Sequence, residues 1–219
     1  RPWPALALVA SSTLLLLACR NESPEALIAS ARAYEAKGDH KGAIIQLRNA
    51  LQQNPADGEV RLLLGRASLQ TGDPVSAQRE LRKALEYGQS PEVVLPPLAR
   101  AMLEQGEAAK LVSEFGDRKL TDIDAEASLR SSVGHAQLQL QKFGDAKASF
   151  SAATALKPDY LPARLGSARL MAAANRIDDA NKLIDAIVAA HPKAAEALAL
   201  QSDLRLLGGD RAGANTSLE

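Results

Sequence analysis

Apolar positions in this chain keep a helical period that breaks at regular points. From Pro24, Leu27, Ala31 and Tyr34 share one face of a helix. After the polar break at Gly38-Asp39, Ala43, Ile44, Leu47, Ala50 and Leu51 share one face of a second helix. Gly38 is placed to end the first helix, because glycine enters the left-handed conformation without a Cβ penalty. Asp39 is placed to cap the second, and Pro55 closes the pair because it lacks an N–H and restricts its predecessor. The pattern predicts a helical hairpin over 24–55.

The hairpin then repeats. Gly38-Asp39 recurs as Gly72-Asp73, and Ala43, Ala77, Leu111, Ala146, Ala180 and Ala214 are spaced by 34, 34, 35, 34 and 34 residues. A fixed period of this size marks a solenoid. The units run 24–57, 58–91, 92–126, 127–160 and 161–194, with a sixth, 195–219, ending within its second helix. Small residues recur at the eighth, twentieth and twenty-seventh places, as Ala31, Ala43 and Ala50, then Gly65, Ala77 and Ala84, then Gly134, Ala146 and Ala153. Two helices approach closely only where neither side chain obstructs the crossing, so these places are the expected hairpin core.

On these residues the chain resembles the tetratricopeptide repeat family from residue 24 onward, with Phe150, Pro158, Ala168, Ala180 and Pro192 also in register. The resemblance implies an all-α fold, a right-handed α-solenoid of about six helical hairpins. Local signals refine it. Ser23-Pro24-Glu25 reads as a capped helix start, Ser90-Pro91-Glu92 repeats the device, and Asp73-Pro74 uses the same chemistry. In the third unit Pro96-Pro97 predicts a helix that either kinks or begins only there, followed by a short second helix near 107–115. In the fourth unit Gln141 stands where others have glycine, and the turn glycine is expected at Gly144. Asn175 takes that place in the fifth.

Composition narrows the function. The 219 residues are 46% hydrophobic and only 3% aromatic, and 26 basic residues balance 26 acidic ones. Zero net charge argues against bulk attraction to nucleic acid, so no nucleic-acid partner is expected. The chain opens at Arg1 and stops inside its sixth unit, which predicts that more repeats or a further domain follow in the parent protein.

The leader is different in kind. Residues 5–17 form an apolar run behind Arg1, too short for a comfortable membrane span and suited to a signal-peptide core, so 1–18 is set apart from the fold. Leu16-Leu17-Ala18-Cys19 resembles the lipobox of bacterial lipoproteins, which makes Cys19 the expected lipidation site and 19–23 a polar tether to the membrane. Arg20 replaces the aspartate that usually retains lipoproteins in the inner membrane, so the resemblance implies the periplasmic face of the outer membrane.

No phosphate loop, zinc-protease histidine pair, nucleophile elbow or dinucleotide fingerprint is present, and neither a catalytic site nor a cofactor is expected. His40, His135 and His191 fall at different places in their units and read as scattered surface residues with no metal site. One recurrence is less neutral. The ninth place reads Arg32, Arg66, Arg100, His135 and Arg169 in five consecutive units. In tetratricopeptide arrays this place faces a concave groove, where a basic stripe would take an anionic protein or peptide partner. The competing reading is local neutralisation, Arg32 by Glu35 and Arg100 by Glu104. Leu62, Leu69, Leu103 and Leu138 lie on the same strip as apolar anchors for peptide side chains.

Taken with the lipobox and tether, phrases such as AYEAKGDHKGAIIQLRNALQQNP are similar to the tetratricopeptide lipoproteins of the exosortase and PEP-CTERM sorting system. That resemblance implies a non-enzymatic periplasmic scaffold near exopolysaccharide production. An acidic polysaccharide-binding subunit and the N-terminal scaffold of a larger enzyme are the alternatives.

Overall fold

The computed structural model describes residues 22–210 and 213–214. Eleven helices and no strand occur among them. The first two units are α1 (Pro24–Ala36) with α2 (His40–Gln53), and α3 (Gly58–Gln70) with α4 (Pro74–Glu86). The third and fourth are α5 (Pro91–Glu104) with α6 (Ala108–Phe115), and α7 (Ile123–Gln139) with α8 (Phe143–Leu156). α9 (Leu161–Ala173) pairs with α10 (Ile177–Ala190), and α11 (Ala195–Leu207) opens the sixth. Each helix packs on the next, and from α3 onward the first helices of successive units also touch, as α3–α5, α5–α7, α7–α9 and α9–α11. That neighbour-only pattern is an α-solenoid.

Local chemistry sets the helix ends. The Ser23 hydroxyl accepts the Ala26 N–H at 3.3 Å, and Asp39 and Asp73 accept those of Gly42 and Ser76 at 2.8 and 3.0 Å. Ser90 occupies the same position before α5, but its hydroxyl makes no capping bond. The charge of Glu92 goes elsewhere too: its carboxylate accepts the Thr121 N–H and hydroxyl at 3.0 and 2.9 Å and the Asp122 N–H at 3.3 Å. It ties the loop before α7 back to α5. The turn of the fourth unit also differs from expectation. Gln141 itself takes the left-handed conformation, φ 58°, and Gly144 lies inside α8. Backbone bonds from Gln141 N to Leu138 O and Lys142 N to Gln137 O force that conformation whatever the side chain. Asn175 takes it as expected, φ 59°.

The repeated small residues are the hairpin cores. Ala31, Ala43, Ala50, Ala77, Ala84, Ala146, Ala153, Ala168 and Ala180 are all at most 1% exposed. Larger side chains fill the space beside them in a chain of clusters instead of one centre. One cluster holds Leu27, Leu47 and Leu64, and the next runs from Leu62 through Met102 to Val133. Smaller ones follow around Phe150 and around Ile184. Phe150 is the tightest fit: a Cβ added at Gly134 would stand 2.7 Å from its ring, and at Gly166 2.3 Å.

The third unit departs from the pattern. α5 starts at Pro91 and runs through Pro96 and Pro97, so the helix does not begin at the proline pair. α6 has only eight residues, and α5 leans more on α7 than on its own partner. α7 begins at Ile123, four residues ahead of the unit boundary drawn from the repeat. On the second-helix side, Glu80 is 4% exposed and is held by Arg61 and by Arg79 Nε at 2.9 Å, while Arg61 also donates to Pro55 O. Burial pushes the Glu80 carboxyl up, but the hydrogen bonds and charges of Arg61 and Arg79 outweigh it and hold the group below the usual range.

Candidate functional site

The first helices of all six units border one groove of about 650 Å³, reaching from Glu35 of α1 to Glu196 of α11. The array therefore curls far enough for its two ends to share a cavity. Arg66, Arg100 and His135, one from each of α3, α5 and α7, stand along it. Arg32 and Arg169 are exposed on the same run of helices but do not border this cavity.

A second rule governs the ninth place. Three of the five side chains reach the residue 27 positions on, which is the second place of the next unit. Arg32 pairs with Glu59, Arg66 Nη2 donates to Val93 O at 3.1 Å, and His135 Nε2 bonds Pro162 O at 3.2 Å. Arg100 instead takes Glu104 of its own helix, Nε to Oε1 at 2.8 Å, and Arg169 makes no ion pair among the described residues. The sequence suggested Glu35 as the partner of Arg32. Glu35 instead faces His40 at 3.1 Å, because the next unit brings Glu59 closer to the guanidinium than its own helix does.

The Arg66 contact has a specific cause. Pro97 has no N–H, so the Val93 carbonyl four residues earlier has no helical partner. The guanidinium supplies the missing donor and makes the proline pair tolerable inside α5. Because a carbonyl is neutral, the Arg66 charge meets no carboxylate among the described residues. The charges of Arg32 and Arg100 do. The ninth-place row is thus partly neutralised, and Arg66 is its strongest uncompensated point within the groove.

His135 is a packed residue. Its ring meets Phe150 edge to face at 5.0 Å and 72°. Since Pro162 O can only accept, Nε2 carries the proton. Burial first, then the charge of Arg169, pushes the His135 pKa down, against the smaller opposing pull of the Pro162 carbonyl and Glu196. The imidazole is neutral at physiological pH. His40 and His191 are also half-buried, so the expectation of scattered surface histidines does not hold.

The four leucines divide. Leu62 and Leu69 are each 6% exposed and belong to the core between α3 and α5, while Leu103 and Leu138 are half-buried. Leu69 and Leu103 border the groove and Leu62 and Leu138 do not. A period-3.6 strip wide enough to reach the groove also feeds the helix contacts beneath it. Sequence reasoning missed the α7 wall of the groove, Ser128, Ser131 and Ser132. Ser131 is 2% exposed, and its hydroxyl has no hydrogen-bond partner.

Cys19 and the leader lie outside the described residues. No group of three or more His, Cys, Asp or Glu among the described residues is placed to hold a metal, and no described helix is long and apolar enough to cross a membrane.

Comparison with known proteins follows the same geometry. A family model described as tetratricopeptide repeat matches residues 34–95 and 137–204, more than half of the chain, and leaves out the irregular third unit after Leu95. Among solved structures, the chain is similar to the pilF protein of Pseudomonas aeruginosa, at 23% identity and TM-score 0.64, with 90% of each chain covered. It is similar to PilW, described as a type IV pilus biogenesis factor, at 18% identity and TM-score 0.68, covering 89% of this chain and 90% of that one. A tetratricopeptide repeat protein from Parabacteroides merdae aligns at 22% identity and TM-score 0.63, over 89% and 77%. At these identities the likeness is one of fold. No curated protein matches the sequence.

Proposed function

The chain belongs to the tetratricopeptide repeat family, and from that footing we propose that its first-helix groove docks an extended, acidic segment of another protein. The protein is a scaffold, not an enzyme. The observation that carries this reading is Arg66, a guanidinium bordering a 650 Å³ groove with a neutral carbonyl as its partner and its charge unmatched. Arg100, one unit along, uses only Nε on Glu104 and keeps both terminal nitrogens for a second carboxylate. Leu103 and the half-buried Tyr160 offer apolar contact beside them. Replacing Arg66 and Arg100 by Glu is expected to weaken an acidic partner and flatten the salt dependence of its binding. Capture and salt dependence unchanged in that variant would remove these residues from the interface.

The same proposal sets the scaffold in the bacterial cell envelope. Residues 1–18 act as a leader, Cys19 as the lipidated residue, 19–23 as the tether and 24–219 as the array, with the periplasmic face of the outer membrane as its site. The lipobox-like run before Cys19 supports this reading, and so does the likeness to the lipoproteins of the exosortase and PEP-CTERM system. Tagged proteins sorted near exopolysaccharide production are the partner class that the likeness suggests. In a bacterial host, Cys19→Ser is expected to move the protein from the membrane to the soluble fraction and abolish incorporation of labelled fatty acid. Unlabelled wild-type protein would end the lipoprotein reading.

A further inference from the structure

The outer seam between consecutive units is treated differently at the junction of the fourth and fifth. At the twenty-fifth place the second and fifth units carry side chains that cross to the eleventh place of the following unit. Arg82 Nη2 approaches Met102 Sδ at 3.8 Å and pairs with Glu114 at 3.0 Å, and Asp185 meets Arg205 at 3.4 Å and Gln201 at 2.6 Å. Between the first two units the seam has Arg48 at the twenty-fifth place and is lined by the buried Arg61–Glu80 pair of the second unit, around a smaller cavity of about 230 Å³. In the fourth unit the twenty-fifth place is Ser151, whose hydroxyl is too short to cross and makes no hydrogen bond among the described residues. Facing it at the eleventh place is Met171.

What remains is a cavity of about 350 Å³, near the lower end of the size range of small-molecule sites. Phe143, Leu170, Met171 and Ala174 are its apolar lining, and Phe143 is 39% exposed. No aspartate or glutamate borders it. Two cations do. Arg176 is taken up by Asp179, at 2.8 Å from Nε and 2.6 Å from Nη2. Lys147 makes no ion pair among the described residues. An apolar slot with one free ammonium at its mouth matches an aliphatic chain ending in an anion.

We propose that the cavity between α8 and α9 binds a small aliphatic carboxylate, with its chain against Phe143, Leu170 and Met171 and its carboxylate on Lys147. The site shares no lining residue with the groove, since α9 gives Ser167, Leu170 and Met171 to the one and Pro162 to the other, and it does not depend on the docking reading above.

The chain has two methionines, which gives a direct readout. Met171 borders the cavity and Met102 is fully buried in the third unit. In the full chain labelled at the methionine methyls, octanoate is expected to shift the Met171 signal in a saturable way and leave Met102 in place. Lys147→Ala is expected to weaken octanoate about two- to fivefold, the worth of an exposed ion pair, and leave octanol unchanged. Ser151→Arg, which copies Arg82 into the seam, is expected to abolish the shift while the thermal melt stays that of the parent. A Met171 signal unmoved by octanoate overturns the proposal. So does an equal response to octanoate and octanol that Lys147→Ala does not change, which would leave only an apolar dent. A response confined to an uncharged amphipathic peptide would make the cavity a protein contact instead.

Discussion

The ring of Phe150 fills the space that a methyl group on Gly134 or Gly166 would need, which joins α8 to the first helices of two units through one side chain. Gly166→Ala places a Cβ within 2.3 Å of that ring. It is expected to cost about 1–3 kcal/mol, read as a lowered melting temperature. Gly134 was legible because it occupies the eighth place of its unit. Gly166 was not, since the eighth place of the fifth unit is Ala168 and only the position of Phe150 explains a second glycine nearby. Glu80 makes the same point for charge. Its folded pKa lies below the ordinary glutamate value, so its contribution is full above that value and disappears as pH falls through the folded one. Glu80→Ala strands the Arg61 guanidinium and is expected to cost about 3–5 kcal/mol near neutral pH. The gap to the parent should narrow in acid, and denaturant melts across pH measure both.

At the scale of the helix, α5 shows where local rules stop. A proline pair at 96–97 predicts a break by itself, because each proline removes a donor. The helix continues because Arg66, on a different helix, hydrogen-bonds the carbonyl that Pro97 leaves unpaired. That compensation lies outside any local window, although it sits at the constant 27-residue offset that also links Arg32 to Glu59 and His135 to Pro162. A double-mutant cycle isolates it. Arg66→Met alone is expected to cost about 1 kcal/mol. In a Pro97→Ala background, where residue 97 regains its N–H, the same change should cost markedly less. Equal costs in both backgrounds would mean that Arg66 does not compensate for Pro97. The helix ends were more readable, since caps such as Asp39 and Asp73 act within three residues. Ser90 failed as a cap where its unit is most distorted.

Across the molecule, the repeat period alone specified the architecture: hairpins stacked by a fixed offset, with first helices on one side. The period could not say how the groove is charged. One ion pair there crosses to the next unit and another stays within its helix, so the row of Arg32, Arg66, Arg100, His135 and Arg169 looks uniform in sequence. Folded, it is uneven: two arginines are neutralised, the histidine is neutral and packed, and of Arg66 and Arg169, which meet no carboxylate among the described residues, only Arg66 borders the cavity. The account rests on that groove as the docking face, and site-specific photocrosslinking in the native host tests it most directly. A crosslinker at Leu103, beside Arg100 in the groove, should trap a defined partner, and the adduct should disappear when Arg66 and Arg100 are reversed to Glu. The same crosslinker at Ile45, 57% exposed on α2 and outside the groove, should not trap it. Equal adducts from both positions, or an adduct at Leu103 that survives charge reversal, would contradict the account.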